Sequence, residues 1–104
     1  MSRNPLLKGL RPVHPGEHLR EDILPALGKP RAEIARLLGV SRQTLYDVLN
    51  EKQPITANLA LRIGKLVGGG PDIWVRMQSE YDLEIAEKAL AKVIRRIPTL
   101  EAAE

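Results

Sequence analysis

Within the ten residues that begin at Ser41, the side chains of Arg42, Gln43, Thr44 and Asp47 carry groups that match the edges of nucleic-acid bases. An arginine donates two parallel hydrogen bonds to guanine, a glutamine amide pairs both ways with adenine, and a threonine meets the thymine methyl. Arg42, Gln43 and Thr44 follow directly on Ser41, a residue type that caps helix N-termini. They therefore fall in the first turn of a helix, the part that reaches base edges when a helix enters the major groove. Asp47 is the odd member, because a carboxylate there repels phosphates; it either accepts from cytosine N4 or is oriented by Arg42 or a neighbouring base. Arg31, Ser41, Asn50 and Lys52 flank this set and are the candidates for phosphate contact, which sets register without reading sequence. For Arg31 and Lys52 the plain alternative is solvated surface charge.

These side chains need two short helices to present them. Ile34, Leu37 and Leu38 in the first, and Leu45, Val48 and Leu49 in the second, recur at helical spacing. Each segment is too short to be stable alone, so the pair must be packed. Ala35 allows close approach, and Gly39 supplies the positive φ of a sharp corner, as a helix-turn-helix requires. Upstream, His14-Pro15-Gly16-Glu17 opens a helix with Leu19, Ile23, Leu24 and Leu27 on one side, ending between Pro25 and Gly28 because Pro25 cannot sit in an interior turn. Pro30 takes the first position of the next helix after Lys29, a poor cap, which leaves Arg31 at a positively polarised helix end. Downstream, Gln53-Pro54 stops the second helix of the pair, and Thr56 caps a fourth that buries Leu59, Ala60, Ile63 and Leu66. Gly68-Gly69-Gly70 then forces a turn; no strand precedes it and no Gly-Lys-Ser/Thr follows, so it is not a phosphate-binding loop.

Pro71 restarts a helix in which Ile73, Trp74, Met77 and Tyr81 form a first stripe that closes the core. A second stripe holds Ile85, Ala86, Ala89, Leu90, Val93, Ile94 and Ile97, until Pro98 ends it. A continuous helix over this span would be about 40 Å long, longer than the body, so part of it should project. An exposed apolar stripe usually marks an interface, which makes Ile85, Ala89, Leu90, Val93, Ile94 and Ile97 the candidate dimer contacts. The alternative is a bend near Asp82 that folds the second half back. The expected organisation is a basic N-terminal arm over 1–12, a DNA-binding unit over 13–70, a closing and pairing helix over 71–98 and a disordered tail over 99–104. The arm is either a phosphate or minor-groove contact or a frayed, solubilising terminus.

A chain of 104 residues supports one compact domain, here all-α. The absence of Cys excludes disulfides and thiolate metal sites. His14 and His18 have the spacing of a metal pair, but Pro15-Gly16 keeps His14 outside the helix and no third ligand is near, so a capping or surface role is expected, with no metal and no cofactor. The carboxylates are scattered, without a second catalytic group at a fixed offset, which argues against an enzyme. Residues 1–70 carry eleven Lys/Arg against six Asp/Glu, whereas 71–104 carry five against seven, so the positive charge lies with the helix pair. That distribution suits a polyanionic partner. No apolar run approaches the roughly 20 residues of a membrane span and the first ten lack a signal-peptide core, so a cytoplasmic, nucleoid-associated protein is expected.

His14-Pro15-Gly16-Glu17, Gly39 to Leu45, Leu49-Asn50 before Lys52, Ile55-Thr56, Ala60-Leu61-Arg62, Pro71-Asp72-Ile73-Trp74 and Gln78 to Leu83 together make the chain, from about Val13 to Asp82, resemble the HigA family of antitoxins, within the phage-repressor-like helix-turn-helix class. The resemblance implies a five-helix DNA-binding fold, a homodimer on a palindromic double-stranded operator, repression of its own operon, and neutralisation of a HigB-like toxin that cleaves messenger RNA. A stand-alone helix-turn-helix repressor without a toxin is the alternative, and an adaptor using the 85–97 stripe a third reading. The chain departs from the family in having Pro30-Arg31 where Ser-Gln is common, and Glu51 where Gly usually follows the Asn that ends the second helix of the motif.

Overall fold

Helix α1 spans residues 15–27 in three parts: an α-helical turn at Pro15–His18, a π-helical turn at Leu19–Ile23 and a further α-helical turn at Leu24–Leu27. It is followed by α2 (Arg31–Leu38), α3 (Arg42–Leu49), α4 (Ala57–Val67) and α5 (Asp72–Arg96), with no strand among the described residues. The structure is a computed structural model and describes residues 11–102. Most of the proposed arm, residues 1–10, and the last two residues of the proposed tail lie outside them; 99–102 are exposed and irregular.

Pro25 does not end α1. The Leu24 N–H reaches back five residues to the Leu19 carbonyl, and this widened turn accommodates the proline ring that a regular α-turn would exclude. The helix continues to Leu27 and stops at Gly28, whose φ of 66° is left-handed. Pro30 is the N-cap of α2 rather than its first residue, and its carbonyl accepts from the Glu33 and Ile34 N–H groups. Ser41 and Thr56 cap α3 and α4 through their hydroxyls, as their types require.

His14 is the N-cap of α1, with Nδ1 accepting the Gly16 N–H at 2.9 Å. It does not lie on the surface: it is 3 % exposed, and its ring meets Tyr81 edge-on at 4.9 Å. Gly16 is needed here for space. A Cβ on it would stand 2.0 Å from the Val48 carbonyl oxygen, so the start of α1 and the end of α3 approach backbone to backbone. Gly64 plays the same part further on, where a Cβ would meet the Gly70 backbone at 2.3 Å.

The core gathers Leu19, Ile34, Leu45, Leu49, Ile63 and Trp74 with their neighbours. Two residues expected inside are not. Leu37 is 44 % exposed, because α2 turns Ile34, Ala35 and Leu38 inward and Leu37 lies off that line. Ile73 is 52 % exposed for the same reason, being one position off the inward row of Trp74, Gln78 and Tyr81. Gln78 is the unexpected member of that row. It is buried, its Oε1 accepts the Ile55 N–H at 2.8 Å and its Nε2 donates to Asp82 at 2.9 Å, so α5 supplies a partner for backbone at the entrance to α4.

α5 runs straight through Asp82 without folding back, and its 25 residues correspond to about 37 Å. The molecule measures 54 × 32 × 25 Å, and beyond Leu83 the large apolar side chains of α5 are exposed.

Burial pushes the His14 imidazole below the ordinary histidine range, against the opposing pull of the Glu51 and Asp82 carboxylates. The unfolded chain therefore binds a proton at His14 more readily than the folded one. Its contribution to stability is complete above the unfolded histidine pKa of about 6.5 and is lost as the pH falls below it. Urea titrations between about pH 7 and 5 should show this loss, and His14→Asn, which keeps an acceptor at the cap but does not titrate, should flatten the curve in that window.

Candidate nucleic-acid interface

The eight residues of α3 divide sharply. Leu45, Val48 and Leu49 are buried, whereas Arg42, Gln43 and Tyr46 are exposed and Thr44 and Asp47 are half-buried at the margin. Ser41 commits its hydroxyl to Thr44 twice: the oxygen accepts the Thr44 N–H at 3.0 Å and the O–H donates to Thr44 Oγ1 at 2.9 Å. The first turn is thereby fixed, and the backbone N–H groups of Arg42 and Gln43 at the helix start have no partner among the described residues, an arrangement that suits an anion.

Arg42, Asn50 and Lys52 are exposed, and none has a side-chain hydrogen bond or ion pair with another described residue. Asp47 is different. It accepts from Gln43 Nε2 at 2.8 Å, one helical turn back, so the side chain that orients it within the protein is Gln43 and not Arg42. Arg31, first residue of α2, lies over the ring of Tyr46 with 5.7 Å between guanidinium carbon and centroid. That contact brings the proposed phosphate ligand of α2 alongside the proposed base readers of α3. Arg42, Gln43, Tyr46, Asp47 and Arg31 thus share one surface, with Asn50 and Lys52 at the far end of α3. Tyr46 was not among the expected site residues, although its position four residues after Arg42 places it on the same face.

Glu51 has a φ of 62°, the left-handed conformation that glycine adopts without strain. Its carboxylate is not turned loose beside α3. Arg20 of α1 donates to the Leu49 carbonyl at 2.6 Å and stands 3.5 Å from Glu51, so one guanidinium both closes the end of α3 and holds the acid. Arg62 of α4 does the equivalent for α2. Its NH1 donates to the Leu38 carbonyl at 2.9 Å and the Gly39 carbonyl at 3.4 Å, while Nε donates to Asn58 at 2.7 Å. Gly39, at φ 74°, passes close enough that a Cβ would stand 2.8 Å from that guanidinium. No local sequence pattern announces Arg20 or Arg62 as caps, since each acts on a helix more than twenty residues away.

The stripe residues Ala89, Leu90, Val93, Ile94 and Ile97 are exposed on α5 and its end. Ile85 is exposed as well but falls in the row of Trp74, Gln78 and Tyr81, round the helix from Leu90. Leu83, Ala86, Leu90, Val93 and Ile97 form a regular series alternating three and four residues apart, the spacing of a helix-pairing seam. No helix of the described residues is long and apolar enough to cross a membrane.

Comparison with known proteins gives a match to the helix-turn-helix family over residues 19–74. Virulence-associated protein I of Dichelobacter nodosus is 40 % identical over 76 residues, 73 % of this chain and 70 % of that one. Antitoxin HigA-1 of Vibrio cholerae is 32 % identical over 73 residues, covering 70 % and 69 %. Among solved structures, Pseudomonas aeruginosa antitoxin HigA with the higBA promoter superposes with a TM-score of 0.82 at 38 % identity, covering 88 % of this chain and all of that one.

Replacing Arg62 by alanine removes the donor to both carbonyls at the α2–α3 corner. It should destabilise the protein by about 1–2 kcal/mol, measured by urea denaturation, and a change smaller than about 0.5 kcal/mol would show that water replaces it fully.

Proposed function

From the premise that this chain belongs to the helix-turn-helix family and, within it, to the HigA-type antitoxins, we propose that it is a sequence-specific DNA-binding antitoxin that represses its own operon and neutralises a cognate toxin. The observation that carries the DNA reading is the exposed face of α3, with Arg42 unpaired among the described residues and presented in a turn locked by Ser41. Arg42, Gln43 and Thr44 form the base-reading set, and Asp47 belongs to it through its hydrogen bond with Gln43. Arg31, Asn50, Lys52 and the capped start of α3 at Ser41 position the backbone. A relative from Pseudomonas aeruginosa is described with its promoter, which supports the same class of ligand here.

Two copies of α3 in successive major grooves require a dimer, and coupling two half-sites raises affinity without any new contact. The proposed means is pairing of the projecting half of α5, through Leu90, Val93, Ile94 and Ile97 with Ala89 and the flanking Leu83; Ile85, expected with them, lies round the helix from this seam. Residues 13–70 then act as the DNA-binding unit and 71–98 as closure and pairing helix. Substituting Leu90 by arginine should convert the dimer to a monomer in multi-angle light scattering and weaken operator binding by tenfold or more, with the helical circular dichroism unchanged.

A stand-alone repressor remains a second reading, favoured by a Haemophilus influenzae relative described as a transcriptional regulator, 30 % identical over 73 residues. The adjacent reading frame separates the two: co-expression and pull-down should recover a toxin that this protein renders harmless, and failure to bind or rescue growth rejects the antitoxin role.

On DNA, Arg42→Ala should lose about 1–3 kcal/mol and relax the preference at one base pair. Lys52→Ala should weaken all sequences alike and reduce the salt slope by about one. Equal losses on operator and random duplex for Arg42→Ala, in fluorescence anisotropy titrations, would remove it from the reading set.

A further inference from the structure

The bond between Gln43 and Asp47 does more than account for an acid on a DNA-facing surface. A primary amide has two faces, one accepting through Oε1 and one donating through Nε2, and a free glutamine can present either by rotating about its last bond. A carboxylate can only accept. With Asp47 at 2.8 Å, the amide nitrogen of Gln43 must face Asp47, and Oε1 must face away. One Nε2 hydrogen is engaged and the other stays beside Oε1, so the edge left for a ligand is one acceptor next to one donor.

That edge matches adenine, whose major-groove edge offers N6–H as donor and N7 as acceptor. It does not match guanine, which presents acceptors at both O6 and N7 and would place O6 against Oε1. A glutamine free to turn its amide could donate to guanine instead. We propose that Asp47 is a positioning residue that locks the Gln43 amide in one orientation and thereby makes the base pair read by Gln43 select adenine over guanine. This rests on the DNA-reading role proposed above. Asp47 is held on the helix one turn from Gln43 and half-buried, its carbonyl accepting the Lys52 N–H at 2.8 Å, so the lock is carried by rigid backbone rather than by a loop.

The lock carries an electrostatic penalty, since a carboxylate on this face opposes phosphate everywhere. Charge and orientation therefore separate by substitution. Asp47→Asn keeps the shape, removes the charge, and can accept from or donate to Gln43, so both amide orientations become available. Asp47→Glu keeps an acceptor-only partner at the same helical offset.

The test is selection from a duplex library randomised across the half-site, using the full-length protein, followed by anisotropy titrations on the selected site and its A-to-G variants at fixed salt. Gln43→Ala identifies the base pair that Gln43 reads. At that pair the unsubstituted protein should prefer adenine to guanine; Asp47→Asn and Asp47→Ala should lower that ratio by about three- to tenfold while tightening random-sequence binding, and Asp47→Glu should retain the ratio. Circular dichroism melts verify that each variant is folded, and Asp47→Asn alone suffices if Asp47→Ala is not. The proposal is overturned if Asp47→Asn tightens every sequence equally and leaves the adenine-to-guanine ratio unchanged, or if Gln43→Ala alters preference at no position. If the unsubstituted protein selects no sequence at all, the DNA-reading role itself fails, an outcome distinct from either.

Discussion

Two eight-residue helices that meet at a sharp corner leave several carbonyls at their C-termini without intrahelical partners, and the whole proposed DNA-binding face depends on how those carbonyls are met. Neither helix is long enough to be stable alone. The protein answers with guanidinium groups borrowed from other helices. Arg62 of α4 closes the end of α2 and the corner at Gly39, and Arg20 of α1 closes the end of α3. Because each donor belongs to a helix already anchored in the core, the corner angle is held by the body rather than by the turn alone.

The same economy shapes the approach of α1 to α3. With Gly16 at the Val48 carbonyl, the backbone of one helix rests on the other, and His14 seals the junction by capping α1 and packing on Tyr81 of α5. Tyr81, Gln78 and Trp74 tie the root of α5 into this junction, so the projecting half of α5 is rigidly joined to the elements that carry the proposed reading face. A pairing interface on that projection would then set the spacing of two reading helices directly.

The acids beside the proposed DNA surface are explained by their partners. Glu51 occupies a left-handed position and is held by Arg20; Asp47 is held by Gln43. Each carboxylate is thus part of the internal organisation of α3. The apparent conflict between an acidic residue and a phosphate-facing surface comes from considering charge without geometry.

Much of the architecture was legible in the amino-acid sequence because it follows from local rules. Ser41 and Thr56 announce helix starts, Gly39 announces the corner, and three- and four-residue spacing places Leu45, Val48 and Leu49 inward. That Arg42 and Gln43 lie on the outer face of α3, with Thr44 at its margin, follows from the same periodicity. What tertiary structure decided are matters of contact between distant segments. Leu37 and Ile73 are apolar at near-helical spacing, yet only the actual partners of α2 and α5 determine that they face outward. Gln78 lies inside because Ile55 needs an acceptor, and Pro25 is tolerated because the preceding turn widens. Arg20 and Arg62 act across 29 and 24 residues, beyond the reach of any local pattern. Local propensity and periodicity determine which elements form and which face of each is apolar; the pairing of buried polar groups, which must be satisfied across the fold, determines which side chains complete it.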